Sequence, residues 1–184
     1  MFSRVYSVAV SGLSGQRLDV EADVGSGLPS FSIVGLPDLA TQESRERVRS
    51  AIKNSGFTFP IAKIVVNLAP ASVRKRGAFD LPIALAVIQK EVDLPKEALE
   101  KTVFLGELAL DGSVRATSSV LPSVASAREM GFARVFVPES NFREASMIPD
   151  IAIIPVRTLR QTVGILSGAV DPDSVRSDDY PLAA

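Results

Sequence analysis

The chain has 184 residues, 46% of them hydrophobic, and a formal net charge of −1, so it can bury one sizeable core and has no global field to draw it to nucleic acid or membrane. It holds no Cys and no His, which excludes disulfides, a thiol nucleophile, a Ser-His-Asp triad and thiolate or imidazole metal ligands. Any chemistry of its own must come from carboxylates, a Ser–Lys pair or backbone donors, and no G-x-x-x-x-G-K-[ST] is present to cradle a nucleotide.

Val5 to Val10, Gln16 to Val24 and Ser30 to Val34 read as three successive strands. In the second, Arg17, Asp19, Glu21 and Asp23 alternate with Leu18, Val20, Ala22 and Val24, the period of a half-exposed strand. Gly35-Leu36-Pro37-Asp38 then opens a helix to about Asn54, with Asp38 as its cap and Val48, Ala51 and Ile52 as its buried stripe. Glu43 and Arg47 stand four residues apart as an ion pair. Arg45, Arg49 and Lys53 make a basic outer edge, read as a solvated, ion-paired face that could also meet a phosphate backbone.

Lys63 to Leu68 is a short apolar strand, and the stretch that follows organises the rest. Arg74-Lys75-Arg76-Gly77 runs into Asp80-Leu81-Pro82-Ile83-Ala84-Leu85-Ala86-Val87-Ile88, a helix with no polar stripe and therefore buried. Asp80 suits the N-cap and Pro82 the first turn, where its missing N–H costs little. Three cations before a helix N-terminus form a candidate anion site at Arg74, Lys75, Arg76 and Gly77; the plainer reading is a solvated loop.

Beyond it, Asp93-Leu94-Pro95 is a turn, Val103 to Leu105 a strand, and Asp111-Gly112 a tight hairpin returning through Ser113 to Arg115. Leu121 to Met130 is a helix stopped by Gly131, Arg134 to Val137 a strand, Asn141 to Ser146 a short helix and Ile151 to Val156 a strand. Thr158 caps a last helix to about Leu166, and from Asp171 the chain is acidic and proline-punctuated, like a linker. No apolar run approaches the roughly 18 residues of a membrane span, so the expectation is a cytoplasmic protein with no membrane partner. Strands followed by alternating helices and strands predict an α/β (α+β) domain with a mixed sheet.

Several blocks occur in order: Gly27-Leu28-Pro29, Val34-Gly35-Leu36-Pro37-Asp38, Glu46-Arg47-Val48-Arg49-Ser50-Ala51-Ile52, Asn54-Ser55-Gly56, Val66-Asn67-Leu68-Ala69-Pro70-Ala71, Asp80-Leu81-Pro82-Ile83-Ala84-Leu85, Gly106-Glu107-Leu108 and Leu110-Asp111-Gly112. Together they resemble the N-terminal domain of the magnesium-chelatase-like AAA+ ATPases of the ComM/YifB family over about residues 1–168, with 169–184 as an acidic linker. The resemblance implies a two-layer fold of the Lon-protease-domain and ribosomal-protein type. It also implies a parent ATPase that uses ATP and Mg in a module beyond this chain, assembles as a hexameric homo-oligomer and acts on DNA in recombination and natural transformation. No cofactor is expected within the chain itself.

Lon-type proteases carry a nucleophilic Ser at the start of the equivalent helix and a general-base Lys after the Gly-Glu strand. The resemblance puts Asp80 at the Ser position and Leu121 near the Lys position, and no Lys follows Lys101. An accessory domain without catalysis is the first expectation. A regulatory domain of a metal chelatase and a cryptic Ser–Lys hydrolase using Ser72 and Lys75 are the alternatives. The loop from Ala71 to Gly77 departs from the relatives' acidic, proline-containing pattern and is more basic.

Overall fold

A computed structural model describes residues 2–35, 37–72 and 79–175. The elements are β1 (Phe2–Ser11), β2 (Ser14–Gly25), β3 (Ser30–Val34), α1 (Leu39–Asn54), β4 (Lys63–Ala69), α2 (Asp80–Ile88), α3 (Lys96–Glu100), β5 (Thr102–Phe104), β6 (Glu107–Leu108), β7 (Val114–Arg115), α4 (Val120–Glu129), β8 (Arg134–Pro138), α5 (Phe142–Ala145), β9 (Ala152–Val156) and α6 (Leu159–Leu166). Seven strands form one mixed sheet in the order β3-β4-β2-β1-β5-β8-β9, and β6 and β7 form a separate hairpin. This is the mixed α/β class that the sequence predicts.

β1 and β2 make a long antiparallel hairpin, β2 pairs antiparallel with β4, and β3 runs parallel to β4 as an edge strand. β1 meets β5 in parallel at Tyr6↔Val103, and β5, β8 and β9 continue in parallel. The β1/β5 junction is stitched by Ser7, whose buried hydroxyl donates to the Phe104 carbonyl at 2.9 Å.

Strand alternation sorts the apolar side chains onto two faces. Val5, Ala9, Leu18, Val20, Ala22, Phe104 and Phe136 join α1, α2 and α6 in the larger core. Val8, Val103, Leu105, Val135 and Val137 point the other way, onto α4 and α5. Over β2 the second face instead carries charge: Arg4 pairs with Glu21 at 2.8 Å and Arg17 with Asp19 at 2.8 Å.

Local chemistry explains the two helix starts the sequence marks. Asp38 Oδ1 accepts from the Thr41 N–H at 2.8 Å, and Thr158 Oγ1 accepts from the Gln161 N–H at 3.1 Å, each satisfying a first-turn donor. α3 was not foreseen; it is five residues long with a proline N-cap, too short to show a period. Gly35 has φ 96° and lies against the Leu68 backbone, so an added Cβ would collide with the Leu68 carbonyl. Packing continues past residue 168: Val170 lies against the larger core and its N–H donates to the Gly164 carbonyl at 3.0 Å. No helix among the described residues is long and apolar enough to cross a membrane.

Candidate functional site

All nine residues of α2, Asp80 included, are buried, so the helix brings a carboxylate into the middle of an apolar core. An isolated ionised carboxylate there is strongly disfavoured unless paired and hydrogen-bonded. The partner comes from α1. Arg47 Nε lies 2.8 Å from Asp80 Oδ2 and Arg47 Nη2 lies 3.2 Å from Oδ1, a two-pronged contact matching the planar guanidinium to the carboxylate. The backbone N–H of Leu108, in β6, donates to Oδ2 at 3.2 Å. Three elements distant in sequence are thus joined on one carboxylate.

The expectation that Asp80 caps α2 is corrected by this geometry. Phe79 is the N-cap residue, because its carbonyl accepts the first intrahelical bond, from Ile83 N–H at 3.0 Å. The donors that a capping Asp80 would need are absent or engaged: Pro82 has no N–H, and Ile83 already bonds Phe79. The Leu81 N–H donates sideways to the Gly106 carbonyl at 3.1 Å. Asp80 therefore sits one residue inside the helix and turns its oxygens outward to Arg47. The i,i+4 pairing of Glu43 with Arg47 read from the sequence persists as a charge interaction that helps raise Arg47, while the guanidinium also bonds Asp80.

Gly106 holds the β6 side of the site close. A Cβ there would lie 2.7 Å from Val114 Cγ1 and 3.5 Å from Leu81 Cβ, so a side chain would push the strand off the helix and lengthen the Leu108–Asp80 bond. Glu107 beside it is half-buried and adds negative charge near the pair.

Burial pushes the Asp80 carboxyl above its ordinary value of 3.8; the Arg47 hydrogen bond and charge and the Leu108 N–H pull it back, and Glu107 adds a smaller push. Arg47 is raised in turn, first by its hydrogen bond to Asp80. The arginine's shift favours the charged pair and the aspartate's opposes it. Burial governs Asp80, because its side chain is 1% exposed against 28% for Arg47.

Chemically, this is a closed ion pair. Both carboxylate oxygens are engaged, and a carboxylate has no activated hydroxyl for Ser–Lys acyl transfer. Leu121 lies half-buried in the first turn of α4, whose buried residues belong to the other core cluster, so α2 and α4 are parts of different packing units. Ser72 is exposed, and its proposed partner Lys75 lies outside the described residues, as do Arg74, Arg76 and Gly77. On α1, the ion pairing expected of Arg45, Arg49 and Lys53 is also corrected: among the described residues none of them joins an ion pair. Arg45 donates to the Gln42 and Phe31 carbonyls instead.

ATP and Mg fit poorly on these residues. The sequence has no phosphate-cradling loop, and among the described residues no group of three His, Cys, Asp or Glu could hold a metal ion. No step is routed through either.

A mixed α/β domain whose central helix opens on a sealed Asp–Arg pair is the class these observations define. The family model described as subunit ChlI of Mg-chelatase matches residues 20–141, more than half of the chain, and the chain belongs to that family. An uncharacterized protein of Mycobacterium tuberculosis is 46% identical over 167 residues, 90% of this chain and 33% of its own length. Competence protein ComM of Haemophilus influenzae is 36% identical over 165 residues, 89% of this chain and 32% of its own, and protein YifB of Escherichia coli is 35% identical over 167 residues. DNA repair protein RadA of Listeria monocytogenes is 29% identical over 86 residues, 47% of this chain. The chain spans about a third of the length of the first three of these relatives.

Proposed function

We propose that this chain is a non-catalytic accessory domain of a magnesium-chelatase-like AAA+ ATPase, supporting ring assembly, contacting DNA, or both, in recombination (branch migration) and natural transformation. The observation that carries the non-catalytic half is the sealed Asp80–Arg47 pair where the Lon-type likeness puts a nucleophile. A group whose oxygens are both held by structural donors is a fastener between α1, α2 and β6. The names of two relatives, a competence protein and a DNA repair protein, supply the DNA half. ATP and Mg then belong to the remaining two thirds of such proteins, and the hexameric ring to the whole.

DNA contact is assigned to Arg74, Lys75, Arg76 and Gly77, the densest run of positive charge in a near-neutral chain. Three phosphate contacts give weak binding with a log–log salt slope of about −2 to −3, which multiple copies in a ring would strengthen. Fluorescence anisotropy with single- and double-stranded DNA at two salt concentrations tests this, comparing the chain with an Arg74/Lys75/Arg76→Ala variant. Binding that falls with salt and is lost in the variant is expected; equal binding by both rejects the loop as the contact. Turnover of casein, a fluorogenic peptide or ATP by repurified protein would overturn the non-catalytic reading. The family's name favours a second reading, a regulatory domain of a metal chelatase, for which porphyrin or metal binding without DNA is the distinguishing result.

A further inference from the structure

Away from the ion pair, the C-terminal half of α1 faces the approach to β4 across an open groove of about 390 Å³, lined by Pro29, Ser30, Arg49, Lys53 and residues 57–62. Arg49 and Lys53 stand one helical turn apart, and among the described residues the lining contains no carboxylate. Glu91 meets the loop at the Thr58 N–H, which donates to its Oε1 at 2.6 Å. The Arg49 guanidinium lies over the Phe59 ring, 5.0 Å from its centroid, while its Nε is buried with no hydrogen-bond partner. A buried donor left unpaired is costly, and like charges at this spacing repel, so the groove lacks an anionic complement. Its rim is apolar: Ile61 is 88% exposed between Pro60 and the loop's return to β4.

We infer that this groove docks an acidic segment of a partner protein, with carboxylates on Arg49 and Lys53 and apolar side chains on Pro29, Pro60 and Ile61. Charge complementarity selects an anion, and two further observations select a peptide over a nucleic acid. First, the aromatic rings are not free stacking platforms. Phe59 carries Arg49 on its face and has Phe31 at 5.5 Å, and Phe57 and Phe59 both pack against the core. Second, the rim is apolar at Pro29, Pro60 and Ile61, the last of them 88% exposed, a surface that peptide side chains can cover and a sugar–phosphate backbone cannot. This inference stands apart from the ATPase and DNA reading, since it rests on α1, β3 and the 57–62 loop alone.

The test is an NMR titration of the isotopically labelled full chain with three probes: the peptide acetyl-Asp-Glu-Leu-Asp-Ile-amide, its uncharged counterpart acetyl-Asn-Gln-Leu-Asn-Ile-amide, and a decathymidylate. The acidic peptide is expected to shift the amides of residues 30 and 57–62 and to bind about tenfold more tightly than the uncharged one at low salt. An Arg49→Gln/Lys53→Gln variant should lose that preference. If the double variant unfolds, Lys53→Gln alone, whose side chain makes no described bond, should weaken the acidic peptide severalfold, and added salt should do the same to wild type. Equal binding of the two peptides, shifts confined to other surfaces, or no binding by either peptide overturns the proposal. Tighter binding of decathymidylate at these same amides also overturns it, in favour of a polyanion site.

Discussion

Two sets of opposite charges occupy opposite situations in this molecule. On the outer face of β1 and β2, Arg4, Arg17, Asp19 and Glu21 form a lattice in which Arg4 and Arg17 are 42% and 56% exposed. Under the start of α2, Arg47 and Asp80 make contacts of similar length with almost no solvent on the carboxylate. Distance does not separate them; water does. The outer arginines stay substantially hydrated, their carboxylates keep some contact with water, and Arg4 is shared between Asp19 and Glu21, so each pair contributes about 0–1 kcal/mol. The inner carboxylate has given up its hydration and depends on one guanidinium and one backbone N–H, so removing its partner leaves a charge that nothing compensates.

The largest effect should therefore come from Arg47→Ala. Urea unfolding at neutral pH should show a loss of about 3–5 kcal/mol, the cost of orphaning a buried charge. The loss should shrink in acid, because the stranded carboxyl takes up a proton and ceases to be a charge. A loss that is the same at pH 4 and pH 7 would contradict the assignment of Asp80 as the stranded group.

Asp80→Asn should cost less, about 1–3 kcal/mol, since Arg47 can turn its partly exposed head to water. This variant also isolates the titration. The folded state raises Asp80 above 3.8, so it binds that proton more tightly than the unfolded chain does. The resulting stability is present in full below the unfolded value and is lost as pH rises through the folded value. The wild type should accordingly lose stability relative to Asp80→Asn across that interval of rising pH, and parallel pH profiles would remove Asp80 as the cause.

Asp38→Ala, which removes a true cap, should cost about 1 kcal/mol by thermal or urea unfolding, with Asp38→Asn milder. The smallest effect belongs to the outer face. Glu21→Gln should cost under about 1 kcal/mol, and less again at high salt. A Glu21 effect as large as that of Arg47 would erase the contrast between the two regions.

The contrast also marks where the sequence was legible. Alternation along β2 and the stripe Val48, Ala51 and Ile52 on α1 are local patterns, and both appear in the structure as read. Asp38 and Thr158 were identifiable because a cap acts within its own turn. Asp80 carried an equally strong local signal, acid then proline before an apolar run, and the local reading misassigned it. Its partner lies 33 positions away, on a helix offering Arg45, Arg47, Arg49 and Lys53. One clue was available: a helix apolar on every face leaves its only carboxylate no route to water, so some cation must come to it. Which one depends on the angle at which α1 crosses α2, and no residue type records that. The 57–62 groove was hidden for the same reason, since Arg49 and Lys53 gain their meaning from a loop whose own sequence is unremarkable.

The strand order carries a consequence for how the chain folds. Strands β1 to β4 come from residues 2–69 and occupy one end of the sheet, while β5, β8 and β9 come from residues 102–156 and occupy the other. The two blocks meet at the Tyr6↔Val103 junction, where Ser7 reaches the Phe104 carbonyl. On a ribosome, β1 is made well before β5, so its β5-facing edge stays unpaired until residue 103 has emerged. Loop closure over that separation costs more than forming the local β1–β2 hairpin, so the seam is expected to close after the hairpin. Until it closes, the nascent chain exposes a strand edge to other chains, and Ser7→Ala should prolong that interval by removing a buried side-chain bond across it.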